Sequence, residues 1–262
     1  YEPGALGADE CNLVFISDAA DAPELRVPLE GEGVSSNSTV DEFVQTSGQT
    51  VDVLFVIDNS GSMGEEQDNL QDNFAEFING AQQFNNDYQI GIVTTDMEDE
   101  SEAGRLQGSP RIMRRGAGVE AQFRNAVDVG TSGSGTEKGL EAARAALSDP
   151  LAFDTGVACQ NDSACVAPDA CIEGVCGGPN RGFVREGAAL EVIFVSDEDD
   201  FSDASLNFYV DFLKNIKGFR NESLFHANAI VGARNGSAAS CSGAGGDASA
   251  GDRYVEVANR TN

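Results

Sequence analysis

Five oxygen-bearing side chains stand where an apolar strand or a glycine-rich turn gives way to a loop. Asp58, Ser60 and Ser62 follow VDVLFVI, Thr136 sits in GSGTEKG, and Asp197 ends VIFVSD. Carboxylates and hydroxyls without histidine or cysteine suit one hard divalent cation, Mg2+, Ca2+ or Mn2+, rather than zinc or copper. Alternation at 58, 60 and 62 in a tight turn brings those side chains to one side, and Gly61 lets the backbone turn sharply. If the neutral hydroxyls make the direct contacts, the ion keeps much of its charge, and an open coordination position would attract a carboxylate from a partner. The same residues have a plainer use: Asp and Ser after a strand also cap the next helix or close a turn.

To bring these groups together the chain must place several strand ends side by side. From Val51 onward, apolar strands alternate with helical patterns. VDVLFVID is followed by a helix over 65–84, where Leu70, Phe74, Phe77 and Ile78 recur at helical spacing. Strands are predicted at 88–96, 189–197 and 224–232, with helices at 119–127, 136–147 and 203–219. Phe74, Phe77, Phe208 and Phe212 read as core at helical spacing. Strands apolar on both faces and separated by helices imply an α/β fold with a doubly wound, mostly parallel sheet flanked by helices. In such a sheet ligands bind at the carboxyl ends of the strands, which is where the five residues fall.

Asp58-x-Ser60-x-Ser62, then Thr136, then Asp197, in that order and strand context, resembles the von Willebrand factor type A (vWA) domain and its metal-ion-dependent adhesion site (MIDAS). The resemblance covers roughly residues 49 to 260. It implies a Rossmann-like fold and metal ligation by those five residues. VDVLFVIDNSGSM and VIFVSDEDDFS look most like bacterial secreted or surface members of the family. The sequence departs from the family where Ser196-Asp197-Glu198-Asp199-Asp200 replaces the usual Thr-Asp-Gly context, and in its cysteine-rich insertion.

Residues 1–47 read as the end of a β-sandwich repeat plus linker, and 48–262 as the vWA domain. NLVFIS and ELRVPLEG alternate around a turn as an N-terminal β hairpin or partial β-sandwich, and the run from Tyr1 to Gly33 resembles the last strands of Hydin-type immunoglobulin-like repeats. Starting at Tyr1 rather than Met, the chain reads as one whose signal was removed or as a window of a longer protein. Residues 148–187 form a loop insertion with little helix or strand signal, carrying Cys159, Cys165, Cys171 and Cys176. Cross-linking is a sensible way to hold so long a loop. Disulfides among those four, in any of three pairings, fit an exported protein better than zinc does, and by elimination Cys11 would pair with Cys241.

Forty-four acidic against sixteen basic side chains give a net charge of -28. That balance repels nucleic acid and anionic membranes. No stretch approaches the roughly 18 apolar residues of a membrane helix, so direct membrane insertion is not expected. GTSGSGTEKG lacks the Lys that a phosphate loop needs directly after its last Gly. Ser62, Asp197 and His226 have the chain order of a hydrolase triad without its G-x-S-x-G elbow, and His226 reads as a packed strand residue. The expectation is a binding module, not an enzyme. It would be secreted or at the cell surface, adhesin-like, binding a protein or surface ligand that offers a carboxylate, with neighbouring β-sandwich repeats. The alternative is a structural subunit of an extracellular assembly whose metal only stabilises the fold.

Overall fold

The computed structural model describes residues 7–16, 24–33, 50–83, 86–166, 169–172, 174–218, 221–232, 240–243 and 246–262. The chain divides into two units, Tyr1–Gln45 and Thr46–Asn262. In the first, β1 (Gly7–Ile16) and β2 (Glu24–Gly33) pair antiparallel, with Leu13 opposite Val27. The expected hairpin is present and longer than its apolar alternation suggested.

The second unit comprises, in chain order, β3 (Thr50–Ile57), α1 (Gly64–Gln83), β4 (Asp87–Thr94), β5 (Met113–Arg114), α2 (Val119–Val127), α3 (Gly139–Ala146), β6 (Asp154–Ala158), β7 (Ala170–Ile172), β8 (Val175–Gly177), β9 (Ala189–Ser196), α4 (Leu206–Asn215), β10 (Phe225–Val231), β11 (Ser240–Gly243), β12 (Gly246–Ser249) and α5 (Asp252–Thr261). Its main sheet runs β10-β9-β3-β4-β5, parallel except for the edge strand β5. Side chains of β3 alternate between two apolar clusters. Leu54 and Val56 meet Leu140 of α3, Tyr209 of α4 and Tyr254 of α5, whereas Val53, Phe55 and Ile57 meet Phe74 of α1 and Phe123 of α2. Helices therefore cover both faces. Each fully buried Leu, Val or Ile on this strand contributes about 1.5–3 kcal/mol, which is why the central strand is apolar on both sides.

Helix α3 begins at Gly139, three residues later than expected, because the loop before it bonds elsewhere. Lys138 N–H donates to Thr95 O at 3.1 Å, and the first-turn amides of Leu140 and Glu141 donate to Asp200 Oδ1 (3.0 Å) and Ser202 Oγ (2.9 Å). The phenylalanine reading needs correction at Phe208, which is 49% exposed, while Phe74 is buried and Phe212 packs partly against the core. The Phe77 side chain lies outside the described residues.

The insertion has more order than its composition suggested. β6, β8 and β7 form a small antiparallel sheet, stapled by Cys159–Cys171 and Cys165–Cys176. The sulfurs of Cys159, Cys165 and Cys176 lie within 4.8 Å of one another because the two bridges pack together, and oxidised sulfur offers no thiolate to a metal. Asn180 docks the far end of the insertion by donating to Gly104 O and Ala146 O and accepting from Leu106 N. Cys241 is a free, exposed thiol. The expected pairing with Cys11 falls on a side chain outside the described residues.

Candidate metal centre

The polar edge is assembled where β3, β4 and β9 end together. Asp58 N–H donates to Val195 O (2.9 Å) and Thr95 N–H to Ile57 O (3.1 Å), so the parallel ladder continues up to the first carboxylate. Asp58 is fully buried. Its Oδ1 accepts from Ser60 N (2.8 Å) and its Oδ2 from Ser196 Oγ (2.6 Å). The Ser60 and Ser62 hydroxyl oxygens stand 3.4 Å apart, Ser60 buried and Ser62 exposed. Gln67, on the first turns of α1, donates to Asp58 O (3.1 Å) and Gly130 O (2.8 Å), tying this turn to the loop that leads to Thr136.

That loop packs closely. Gly133 N–H donates to Asn59 O at 2.8 Å, and a Cβ on Gly133 would run into the Asn59 side-chain amide, which would have to move to admit any larger residue. Gly61 is different: a Cβ there would meet open space and its φ is not left-handed, so the turn does not require glycine at 61. Asp96, two residues beyond β4, orders two loops at once, its Oδ1 accepting from Glu98 N and its Oδ2 from Ser134 N. Thr136 itself is exposed, its amide donating to Ser134 Oγ at 3.2 Å.

Asp197 is 5% exposed and its Oδ1 is buried without a hydrogen-bond partner, while its carbonyl accepts from Ser249 N at 2.7 Å. Of the acidic run that follows, Asp200 is no solvated loop residue. It is buried, caps α3 and receives Arg253 Nε at 2.9 Å.

The structure thus joins Asp58, Ser60 and Ser62, sets Asp197 close enough to Asp58 to act on its charge, and leaves Thr136 on the same loop system with, among the described residues, no hydrogen bond to them. It adds two residues that the sequence pattern did not single out. Glu137 is fully buried, its carboxyl facing its own amide and the Glu198 carboxyl, and Glu66 Oε2 is buried without a hydrogen-bond partner. Among the described residues no ion pair involves Asp58, Glu137 or Asp197. Burial raises the Asp58 carboxyl above the usual range, with Asp197 adding to it against the Ser196 and Ser60 hydrogen bonds. Burial also raises Glu66, helped by the charges of Asp197, Glu65 and Asp58. Glu137 is pushed up to about 8, first by burial and then by the nearby charges of Asp58 and Glu198.

Buried carboxylate oxygens without donors are costly. Among the described residues no three acids bring carboxylate oxygens within 4.8 Å of one another, so any fit to a hard divalent ion rests on Asp58, Asp197 and the hydroxyl oxygens and not on an acidic cluster. Beside them Ser62, Asp197 and Glu198 form one wall of a cleft of about 390 Å³, whose other wall is Ser240, Cys241, Ser242 and Asp247–Ser249 of the β11–β12 hairpin. His226 lies elsewhere, five residues before the end of β10, with Nδ1 3.0 Å from Glu191 Oε1 and its side chain 40% exposed. It is neither the packed residue expected nor a partner of Ser62.

No protein-family model matches the chain, and no curated protein matches it. Two structures of proximal thread matrix protein 1 from the mussel byssus align at TM-scores of 0.36 and 0.37, with 17% and 18% identity, over 72% of this chain and 37% of theirs. The pilus adhesin SpaC from Lactobacillus rhamnosus GG, in its open conformation, aligns at 0.30 and 12% identity, over 83% of this chain and 30% of that one. The chain thus spans well under half the length of these proteins. Likenesses this slight carry no argument about fold or site.

Proposed function

We propose that this chain is a secreted or cell-surface bacterial module of the vWA type, which binds a protein or surface ligand through a divalent cation held at the β3–β9 edge. The observation that carries this reading is the buried, unpartnered Asp197 Oδ1 beside the buried Asp58, at the mouth of an open cleft. Asp58, Ser60, Ser62, Thr136 and Asp197 would hold the ion. When bound, a divalent cation supplies an electrophilic coordination position for a carboxylate oxygen of the partner. The protein's own part is to hold these oxygens in place: Ser196 and Ser60 N–H fix the Asp58 carboxylate, and Gln67 fixes its backbone. The cysteine bridges of the insertion support export.

A second reading, a structural bead whose metal only stabilises the fold, draws on the β11–β12 hairpin. Asp247 of this hairpin lines the cleft, so the chain itself offers a carboxylate near the edge. Two measurements separate these readings. Calorimetric titration of the metal-stripped chain with magnesium, calcium and manganese should show one ion bound, and none in Asp58→Ala. Adsorption of the loaded chain to a carboxylate-coated sensor should then be reversed by chelator. An ion that binds and stabilises without enabling adsorption favours the bead, and no ion binding leaves only the capping role of these residues.

A further inference from the structure

The run that follows Asp197 is held at each step. Asp197 O accepts from Ser249 N at 2.7 Å, Glu198 N–H donates to Ser196 Oγ at 3.1 Å, and Asp199 Oδ1 accepts from Arg253 N at 2.8 Å. Asp200 and Ser202 are buried. Asp200 Oδ1 accepts from Leu140 N (3.0 Å) and Ser202 Oγ (2.7 Å), its Oδ2 accepts from Arg253 Nε (2.9 Å), and Ser202 Oγ accepts from Glu141 N (2.9 Å). Phe201 stands between these two buried residues. Its N–H donates to Glu137 O at 2.7 Å, which sets its backbone against the loop carrying Thr136, yet the residue is 52% exposed. An aromatic group turned to water on so fixed a backbone has already lost most of the freedom that binding would take from it, and aromatic side chains are enriched where proteins meet.

The charge around Phe201 selects what its ring can receive. Glu198, Asp199 and Asp203 belong to the same run. Lys138, which follows Glu137, gives its Nζ to Asp203 at 2.8 Å, and the Arg253 guanidinium is taken up by Asp200 and by the carbonyls of Ser202 and Ala204. With a net charge of -28 the chain repels a purely acidic segment, so a partner that brings a carboxylate to this edge is favoured when it carries a basic group beside it. The face of a phenylalanine ring is electron-rich and attracts a cation, arginine more often than lysine. We propose that Phe201 is the specificity-determining contact of this edge, its ring receiving an arginine guanidinium of a protein partner beside the carboxylate that this partner gives to the ion. The carboxylate half rests on the metal-site reading above, whereas the guanidinium half rests on Phe201 and the acids next to it.

The test uses fluorescent, end-blocked peptides that bear one glutamate and, close to it, either arginine or its uncharged isostere citrulline. They are titrated by fluorescence anisotropy against the full chain with magnesium present, in about 0.15 M salt so that the overall charge is screened beyond about 8 Å. The arginine peptide should bind about two- to fivefold more tightly than the citrulline peptide. Phe201→Ala should erase that ratio and Phe201→Trp should raise it, since tryptophan offers the better face to a cation. Val157→Ala, which trims an apolar side chain of similar exposure (55%) on β6, should leave the ratio unchanged. None of these changes alters the charge, so a ratio that survives in Phe201→Ala assigns the preference to the acidic surface at large and overturns the proposal. A parent that does not prefer arginine, or that binds neither peptide, overturns it as well. Chelator separates the two halves: an arginine preference that persists in chelator and still vanishes in Phe201→Ala upholds Phe201 and sinks the metal-bound carboxylate. Circular dichroism establishes that each variant is folded, and Phe201→Leu, which keeps apolar bulk without a ring, gives the same comparison should the alanine variant not fold.

Discussion

The Ser196 hydroxyl donates to Asp58 Oδ2 at 2.6 Å, so the first carboxylate of the Asp-x-Ser-x-Ser turn is held by the last residue of β9. Ser196→Ala should leave that buried oxygen without a donor and cost about 1–3 kcal/mol in the metal-free protein. A divalent cation bound at Asp58 would satisfy part of the same carboxylate, so the loss should shrink when the ion is present. Urea unfolding of parent and variant, with chelator and with saturating cation, measures both numbers. An equal loss in the two conditions would separate Ser196 from the metal site.

The acids of this edge set a pH dependence with a definite sign. Glu137 is raised to about 8 from 4.5 by burial, then by the Asp58 and Glu198 charges, and Asp58 and Glu66 are raised for the same leading reason. A carboxyl whose pKa is higher in the folded chain binds more protons there than in the unfolded chain, so stability falls as pH rises between the two values. For Glu137 that window runs from about 4.5 to about 8. The melting temperature of the chelated protein should therefore decline from pH 5 to pH 8, and Glu137→Gln should flatten the slope. Saturating cation should flatten it as well, because the ionised carboxylate is then compensated. A melting temperature that rises across this range in chelator would contradict the placement of these acids.

At the opposite end of the sheet, Asp52 is fully buried on β3 and receives two bonds from Arg185, from its backbone N–H and its Nε, both at 2.7 Å. Arg185 also reaches Asp87 and the Val51 carbonyl, and Lys217 Nζ lies 3.9 Å from Asp52 Oδ2. Arg185→Ala leaves the buried carboxylate with the backbone N–H of residue 185 and a distant lysine but no paired guanidinium, and should cost about 3 kcal/mol. Replacing Asp52 by Asn in the same background should recover part of that loss, since the charge left unpaired is removed. Chemical denaturation of the single and double variants gives the coupling; additive losses would mean the pair is not energetically linked.

What could be read in advance follows from the range of the forces involved. The apolar runs of β3, β4 and β9 and the spacing of Leu70 and Phe74 are local patterns, and the mixed α/β sheet with helices on both faces follows from them. Asp58, Ser60 and Ser62 are visible because they share one turn. Glu137 is not, since an acid between Thr136 and Lys138 in a glycine-rich loop has the pattern of a solvated one, and only the approach of the β3 and β9 ends buries it. Asp52 did carry a signal: a carboxylate in the middle of a strand buried on both faces needs a partner, although nothing local says that it is Arg185. The β11–β12 hairpin is built from Ser, Gly and Ala with Cys241 and Asp247, without apolar alternation, so its strands could not be told from loop. Gly61 suggests a sharp turn on residue type alone, yet its φ is not left-handed and a Cβ there would meet open space.

The insertion offers the clearest separation of local from global stability. Its two bridges close loops with sequence separations of 12 and 11 residues, and such loops contribute about 3 kcal/mol each by restricting the unfolded chain. Cys176 is buried whereas Cys159 is not, and Asn180 fastens the segment to the main domain through three backbone bonds. Losing the more exposed bridge should therefore loosen residues 159–172 and leave the sheet intact. The double variant Cys159→Ser, Cys171→Ser should become sensitive to limited proteolysis within the insertion while keeping its metal affinity and far-ultraviolet dichroism. Asn180→Ala should instead lower the stability of the whole unit by about 2 kcal/mol, because Leu106 N–H and two buried carbonyls lose their partner. Mapping cleavage sites by mass spectrometry, beside thermal melts of both variants, decides the matter: a bridge variant that melts as low as Asn180→Ala would show that the insertion and the sheet unfold as one.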